Sequence, residues 1–216
     1  MRVPHLYLVA ARELFGDDTA WLEAMERVAA ASVAVRRLRV ALQVRLGARS
    51  QAAALVQEAL HRLRRIHPDL PLWLNARAGV DAPGYDGVHF PEAALPKRRG
   101  DARTPWAASV HSAAALQRAA AAGAAFAVFG ALWKPQWKEA APQGAEALRR
   151  LTRGAALPVL AIGGITPARV SLCLGAGAAG VAVTSGIFAA VDASAALDRY
   201  VAALSRALAA RGDEGT

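Results

Sequence analysis

Val159-Leu160-Ala161-Ile162-Gly163-Gly164-Ile165-Thr166-Pro167 passes from an apolar tetrad through a glycine pair into a helix start. The same order returns at Gly180-Val181-Ala182-Val183-Thr184-Ser185-Gly186-Ile187. Each tetrad has the length and composition of a strand buried on both faces. Glycines just past such a strand let backbone N–H groups approach an anion closely, and a helix that begins there adds its dipole. Gly163, Gly164, Ser185 and Gly186 are therefore candidate phosphate contacts, with Thr166 as N-cap and Pro167 as the first residue of a helix.

Upstream of this pair lie six more apolar runs, at residues 5–10, 38–44, 72–75, 87–90, 107–110 and 125–129. Helical signals separate them. Trp21, Leu22, Met25 and Val28 share one helix face. A long helix after Ser50 stops at His67-Pro68, and Gly123 suits the C′ position of an alanine-rich helix. Leu197, Tyr200, Val201, Leu204 and Leu208 mark a last helix, beyond which residues 211–216 are expected to fray.

Eight strands alternating with helices are compatible with a closed barrel or an open doubly wound sheet. An open sheet more often has a glycine-rich loop after its first strand, whereas residues 11–16 contain one glycine. Glycines after the seventh and eighth strands suit a barrel's phosphate site. The sequence therefore predicts an α/β protein, a single-domain (β/α)8 TIM barrel over residues 1–216. The long loop at 130–144 follows the sixth strand, on the face where barrels carry their chemistry.

Composition narrows the function. The net charge of +9 comes almost wholly from scattered arginines, and no basic run has the length of a binding tail. Attraction of small anionic substrates is the expectation, with no nucleic acid as partner. The lone Cys173 sits in an apolar helical stretch and reads as a buried thiol. No apolar run is long enough for a membrane span and no signal peptide is evident, which predicts a cytoplasmic protein.

Across roughly residues 5–205 the strand ends resemble those of the thiamine phosphate synthase and TenI family. Gln43-Val44-Arg45, Asn75-Ala76, Asp86-Gly87-Val88-His89, Ser109-Val110-His111-Ser112 and Gly144 stand in the order and spacing of that family's motifs, and the glycine turns match best. The resemblance implies the barrel fold, a place in thiamine biosynthesis and a phosphorylated small-molecule heterocycle as ligand. It also implies that Gly163, Gly164, Ser185 and Gly186 hold phosphate. Gln43, Asn75 and Ser109 would line the substrate pocket, and Arg45 and Lys138 would add positive charge.

The departures from the family pattern are informative. Where the synthases use two aspartates for magnesium, this chain has Ala76 and, near the second position, Ala93 and Ala94. Alanine offers no oxygen to Mg²⁺. Glu92 is the nearby carboxylate, read as a surface group rather than a shifted ligand. Gly47 replaces a lysine, and Pro135 and Trp137 replace two loop threonines. Synthase chemistry is not expected from this set, and neither a metal nor a cofactor is predicted.

The TenI-type branch, which aromatises a thiazole phosphate carboxylate by proton transfer, needs less. Phe90-Pro91-Glu92 and Ser109-Val110-His111-Ser112 look more like that branch, although its acid/base histidine position holds Ala131. His111 and His89 are the candidate catalytic acid/base groups. The leading expectation is a metal-independent thiazole phosphate tautomerase. The alternatives are a non-catalytic relative that binds a phosphorylated heterocycle, and a synthase with a rebuilt magnesium site. Trp133 and Trp137 are expected either to stack on a heterocycle or to pack within the loop. Whether the chain forms a homodimer stays open.

Overall fold

A computed structural model describes residues 2–47, 52–76, 83–98, 104–134 and 141–212. Eight parallel strands close in sequence order: β1 (Leu6–Ala11), β2 (Val40–Arg45), β3 (Leu72–Asn75), β4 (Gly87–Phe90), β5 (Trp106–Val110), β6 (Phe126–Phe129), β7 (Val159–Ile162) and β8 (Gly180–Val183). Pairing of β1 with β8, Leu6 opposite Val181, seals the ring. The predicted (β/α)8 barrel is the observed fold.

Around it lie α1 (Asp18–Ser32), α2 (Ala52–Ile66), α3 (Ala113–Ala121), α4 (Gly144–Thr152), α5 (Val170–Gly175), α6 (Ser185–Phe188) and α7 (Ala193–Ala209). Among the described residues the β4–β5 connection carries a 3-10 turn, Glu92–Ala94, in place of an α-helix. The expected N-cap at Thr166 opens a 3-10 turn, Pro167–Arg169, and its side chain makes no capping bond. Asp17, Ser112 and Asp192 do cap α1, α3 and α7, each accepting a backbone N–H three residues on. Ser50 lies outside the described residues.

The two-residue period of a strand divides the core in two. Leu6, Leu8 and Ala10 face the helices, while Tyr7 and Val9 face the barrel interior with Trp73, Phe126 and Leu160. Tyr7, Trp73 and Phe126 meet edge-on, at ring-centroid distances of 5.0 to 6.1 Å, and plug the barrel. Trp21, Leu22, Met25 and Val28 are all buried, as their spacing predicts. Gly123 takes φ +90° beyond α3. Arg211 departs from the expected fraying: its guanidinium donates to the Ala178 carbonyl at 3.0 Å. No described helix is long and apolar enough to cross a membrane.

Candidate functional site

Above the aromatic plug, toward the C-terminal ends of the strands, the inward positions turn polar. Gln43, Asn75 and His89 are buried there, and Asn75 is the register partner of His89. The His89 ring stacks on Tyr7, with Nδ1 3.3 Å from the Tyr7 hydroxyl and Nε2 2.9 Å from Ser109 Oγ. Burial, with the nearby Arg45 charge adding, pushes this imidazole down to about 3. Such a ring is neutral near pH 7, and both of its nitrogens are engaged by protein hydroxyls. Gln43 Nε2 is buried and has no acceptor among the described residues, which suits a donor directed at a ligand.

His111 is placed differently. It follows the last residue of β5 and is exposed at the mouth. Its Nδ1 lies 2.8 Å from the Gly130 carbonyl oxygen, past the end of β6. A carbonyl only accepts, so Nδ1 is a nitrogen that carries a proton. The backbone N–H of His111 donates to Glu92 Oε2 at 2.7 Å, and the other oxygen of Glu92 faces Arg118 at 3.5 Å. Gln143 Nε2 shares the Gly130 carbonyl at 3.4 Å. Backbone and ring of His111 are thus held separately. From the sequence Glu92 reads as a surface carboxylate and Gln143 carries no signal; their partners lie 19 and 13 residues away, and no local spacing announces either pairing.

The glycine turns sit side by side, since β7 pairs with β8. Among the described residues, the N–H groups of Gly163, Gly164, Ser185 and Gly186 have no backbone acceptor. The glycines also serve packing. Gly163 has φ +97°, and a Cβ there would lie 2.5 Å from Ala131 Cα. Gly164 has φ +62° and would meet Trp133 in the same way. The chain after β6 is laid against this turn, with Leu132 and Trp133 N–H groups on the Ile162 and Gly163 carbonyls. Its far end returns through Gln143 and Gly144, whose N–H groups bond Ala131 and Leu132. At Gly186, a Cβ would fall 2.2 Å from the Tyr200 hydroxyl, itself a donor to the Ile165 carbonyl.

Trp133 packs on Gly164 beneath the Arg169 guanidinium, 4.7 Å from the ring centroid, while Arg169 also donates to the Gly164 carbonyl at 2.6 Å. These contacts are of the packing kind, one of the two roles expected for Trp133. Trp137 and Lys138 lie outside the described residues. Arg45 ends β2 as expected, but its guanidinium pairs with Glu13 at 2.9 Å, so its charge is largely answered within the protein. Cys173 is buried, and burial pushes its thiol up to about 12.

Magnesium, which the family pattern implies, finds a poor donor set here. The Ala76 side chain carries no oxygen, and Glu92 is committed to the His111 N–H and Arg118. Among the described residues no three His, Cys, Asp or Glu side chains converge as a metal site.

Fold and strand-end chemistry together define a (β/α)8 barrel with its candidate site at the C-terminal mouth. A family profile described as thiamine monophosphate synthase matches residues 6–187, and the chain belongs to that family. It is 33% identical over 171 residues to a thiamine-phosphate synthase of Xanthomonas campestris pv. campestris, covering 76% of this chain and 83% of that protein. It is 35% identical over 184 residues to the thiamine biosynthesis bifunctional protein ThiM/ThiE of Symbiobacterium thermophilum. That match covers 81% of this chain but only 36% of the bifunctional protein. The fold is similar to that of a thiamine phosphate pyrophosphorylase from Pyrococcus furiosus, with a TM-score of 0.74 at 22% identity over 94% of this chain and 96% of that one.

Proposed function

We propose that this protein binds a phosphorylated thiazole at the mouth of the barrel and moves protons on it without a metal, as a thiazole phosphate tautomerase. The observation that carries this is the His111 ring, exposed just past β5 with Nδ1–H on the Gly130 carbonyl. In that state Nε2 takes a proton from the bound ring. The imidazolium that forms is stabilised by the carbonyl at Nδ1, and it returns a proton elsewhere on the same molecule. The substrate is isomerised, with no group lost and no electron acceptor required. The N–H groups at Gly163, Gly164, Ser185 and Gly186, which have no backbone acceptor among the described residues, hold the phosphate, and Gln43 Nε2, Asn75 and Ser109 face the ring.

A second reading, a thiamine phosphate synthase, is favoured by the names of the relatives at 33% and 35% identity. The donor set at Ala76 and Glu92 weighs against it. One experiment separates the two. The purified protein is titrated calorimetrically with thiazole phosphate carboxylate in the presence of a chelator, and aromatisation is then followed by absorbance. Binding with turnover supports the tautomerase. Binding without turnover leaves a non-catalytic phosphorylated-heterocycle binder. Product formation only with Mg²⁺ and a pyrimidine pyrophosphate co-substrate makes the protein a synthase.

A further inference from the structure

Tyr7, His89 and Ser109 form a polar chain inside the barrel that links β1, β4 and β5. Alternation along β5 turns Ser109 to the same side as Ala107, which faces the barrel interior and is the register partner of His89. The Tyr7 hydroxyl lies 3.3 Å from His89 Nδ1, and Ser109 Oγ lies 2.9 Å from Nε2. Tyr7 and His89 are buried, at 0% and 3% exposure, whereas Ser109 is half-buried next to the end of β5. Among the described residues neither hydroxyl has a second protein partner.

Three groups in a row share two hydrogen bonds, and their protons can be ordered in two ways. Near neutral pH the number of protons is fixed: burial holds the Tyr7 phenol well above its ordinary range, and His89, pushed down to about 3, is neutral. In one order Tyr7 donates to Nδ1, Nε2–H donates to Ser109 Oγ, and the Ser109 hydrogen is left over. In the other Ser109 donates to Nε2, Nδ1–H donates to the Tyr7 oxygen, and the Tyr7 hydrogen is left over. The two differ in where that last hydrogen goes. On Tyr7 it would be sealed in the aromatic plug without an acceptor, at the full desolvation cost of a buried donor. On Ser109 it stands at a half-buried position, where solvent or a ligand can accept it. The first order is therefore the stable one.

We propose that Tyr7 and His89 are positioning residues: Tyr7 holds His89 as the Nε2–H tautomer, and His89 thereby makes Ser109 a hydrogen-bond donor to the ligand. This donor role rests on the reading of the mouth as the site of a phosphorylated thiazole, and it brings a rule of selection. A ligand that places an acceptor at Ser109, a carboxylate oxygen or an unprotonated ring nitrogen, satisfies the waiting hydrogen. One that places an N–H or O–H there leaves that hydrogen unpaired once water is displaced, which costs affinity.

Imidazole ¹⁵N spectra of the ligand-free protein at neutral pH read the proton order directly, because protonated and unprotonated ring nitrogens resonate far apart. The His89 pair among the five histidines is identified by its loss in His89→Gln. The expected result is a proton on Nε2 and a bare Nδ1. Calorimetry with thiazole phosphate carboxylate then reads the consequence: Ser109→Ala weakens binding about two- to tenfold, the range of one net hydrogen bond. Tyr7→Phe weakens it in the wild-type background and adds no further loss in Ser109→Ala, a coupling that a merely structural tyrosine would not show. A proton on Nδ1, unchanged affinity in Ser109→Ala, or equal losses from Tyr7→Phe in both backgrounds overturns the proposal. A protein that does not bind the ligand at all overturns the thiazole reading as well, whereas binding with the proton on Nδ1 overturns the proton order alone.

Discussion

The imidazole of His111 donates from Nδ1 to the Gly130 carbonyl oxygen at 2.8 Å, joining the ends of β5 and β6 across the mouth of the barrel. That bond fixes the imidazole of a residue exposed at the end of β5. The backbone of the same residue is held independently by Glu92. A side chain and a main chain tied to different elements give the ring little freedom to swing.

Glu92 should therefore matter to turnover although it touches no ligand. Glu92→Ala removes the acceptor for the His111 N–H and is expected to lower kcat more than it raises KM. It should also lower stability by about 1 kcal/mol, the usual worth of one hydrogen bond. Glu92→Gln keeps a carbonyl acceptor and should recover most of both. Steady-state kinetics beside thermal unfolding checks this; equal losses in the two variants would contradict it.

Gly186 is a glycine for two reasons, and a double-mutant cycle separates them. Gly186→Ala places a methyl against the Tyr200 hydroxyl and should destabilise the protein by about 1–3 kcal/mol, the cost of overpacking. In a Tyr200→Phe background the added cost should shrink, since the atom in conflict is gone. Denaturant unfolding of the four proteins measures the difference. An undiminished cost would mean that the conflict lies with Val183 or the backbone instead.

The positions of the strands were legible from hydrophobic pattern alone, because parallel strands covered on both faces are continuous apolar runs. Residues 72–75, 87–90 and 159–162 coincide with β3, β4 and β7. The positions of candidate site residues at strand ends followed from the same frame. Their pairings did not. Nothing near Arg45 announces Glu13, 32 residues earlier, as its partner, and nothing near Gly163 announces Ala131 against its Cα. Glycine at a strand end is equally what an anion site and a close backbone crossing require, and only the fold shows that Gly163 and Gly164 meet the second demand.

His89 should leave a signature in the acid limb of stability. Its folded pKa is about 3, below the ordinary histidine value, so between these limits the unfolded chain binds a proton that the folded protein refuses. Stability is then unaffected above about pH 6.5 and declines as the pH falls toward 3, by about 2 kcal/mol at pH 5. His89→Gln should flatten the slope in this window by close to one proton, whatever its effect on stability at neutral pH. An unchanged slope would show that His89 is not held neutral.

Phosphate binding gives a further check that leaves packing alone. Lengthening the turn residue in Ser185→Glu places a carboxylate where the anion is expected, and affinity for thiazole phosphate carboxylate should fall at least about tenfold through like-charge repulsion. Calorimetry at neutral pH reads the change, and unaltered affinity would move the phosphate away from the β8–α6 turn.

The measurement that bears most directly on the account compares wild type with His111→Gln, in chelator, for binding and aromatisation of thiazole phosphate carboxylate. If Nε2 of His111 carries the proton, kcat should fall by about 10²- to 10⁴-fold with Kd nearly unchanged, the range for loss of one general acid/base. Turnover that survives the substitution intact would contradict the assignment and place the proton transfer on another group.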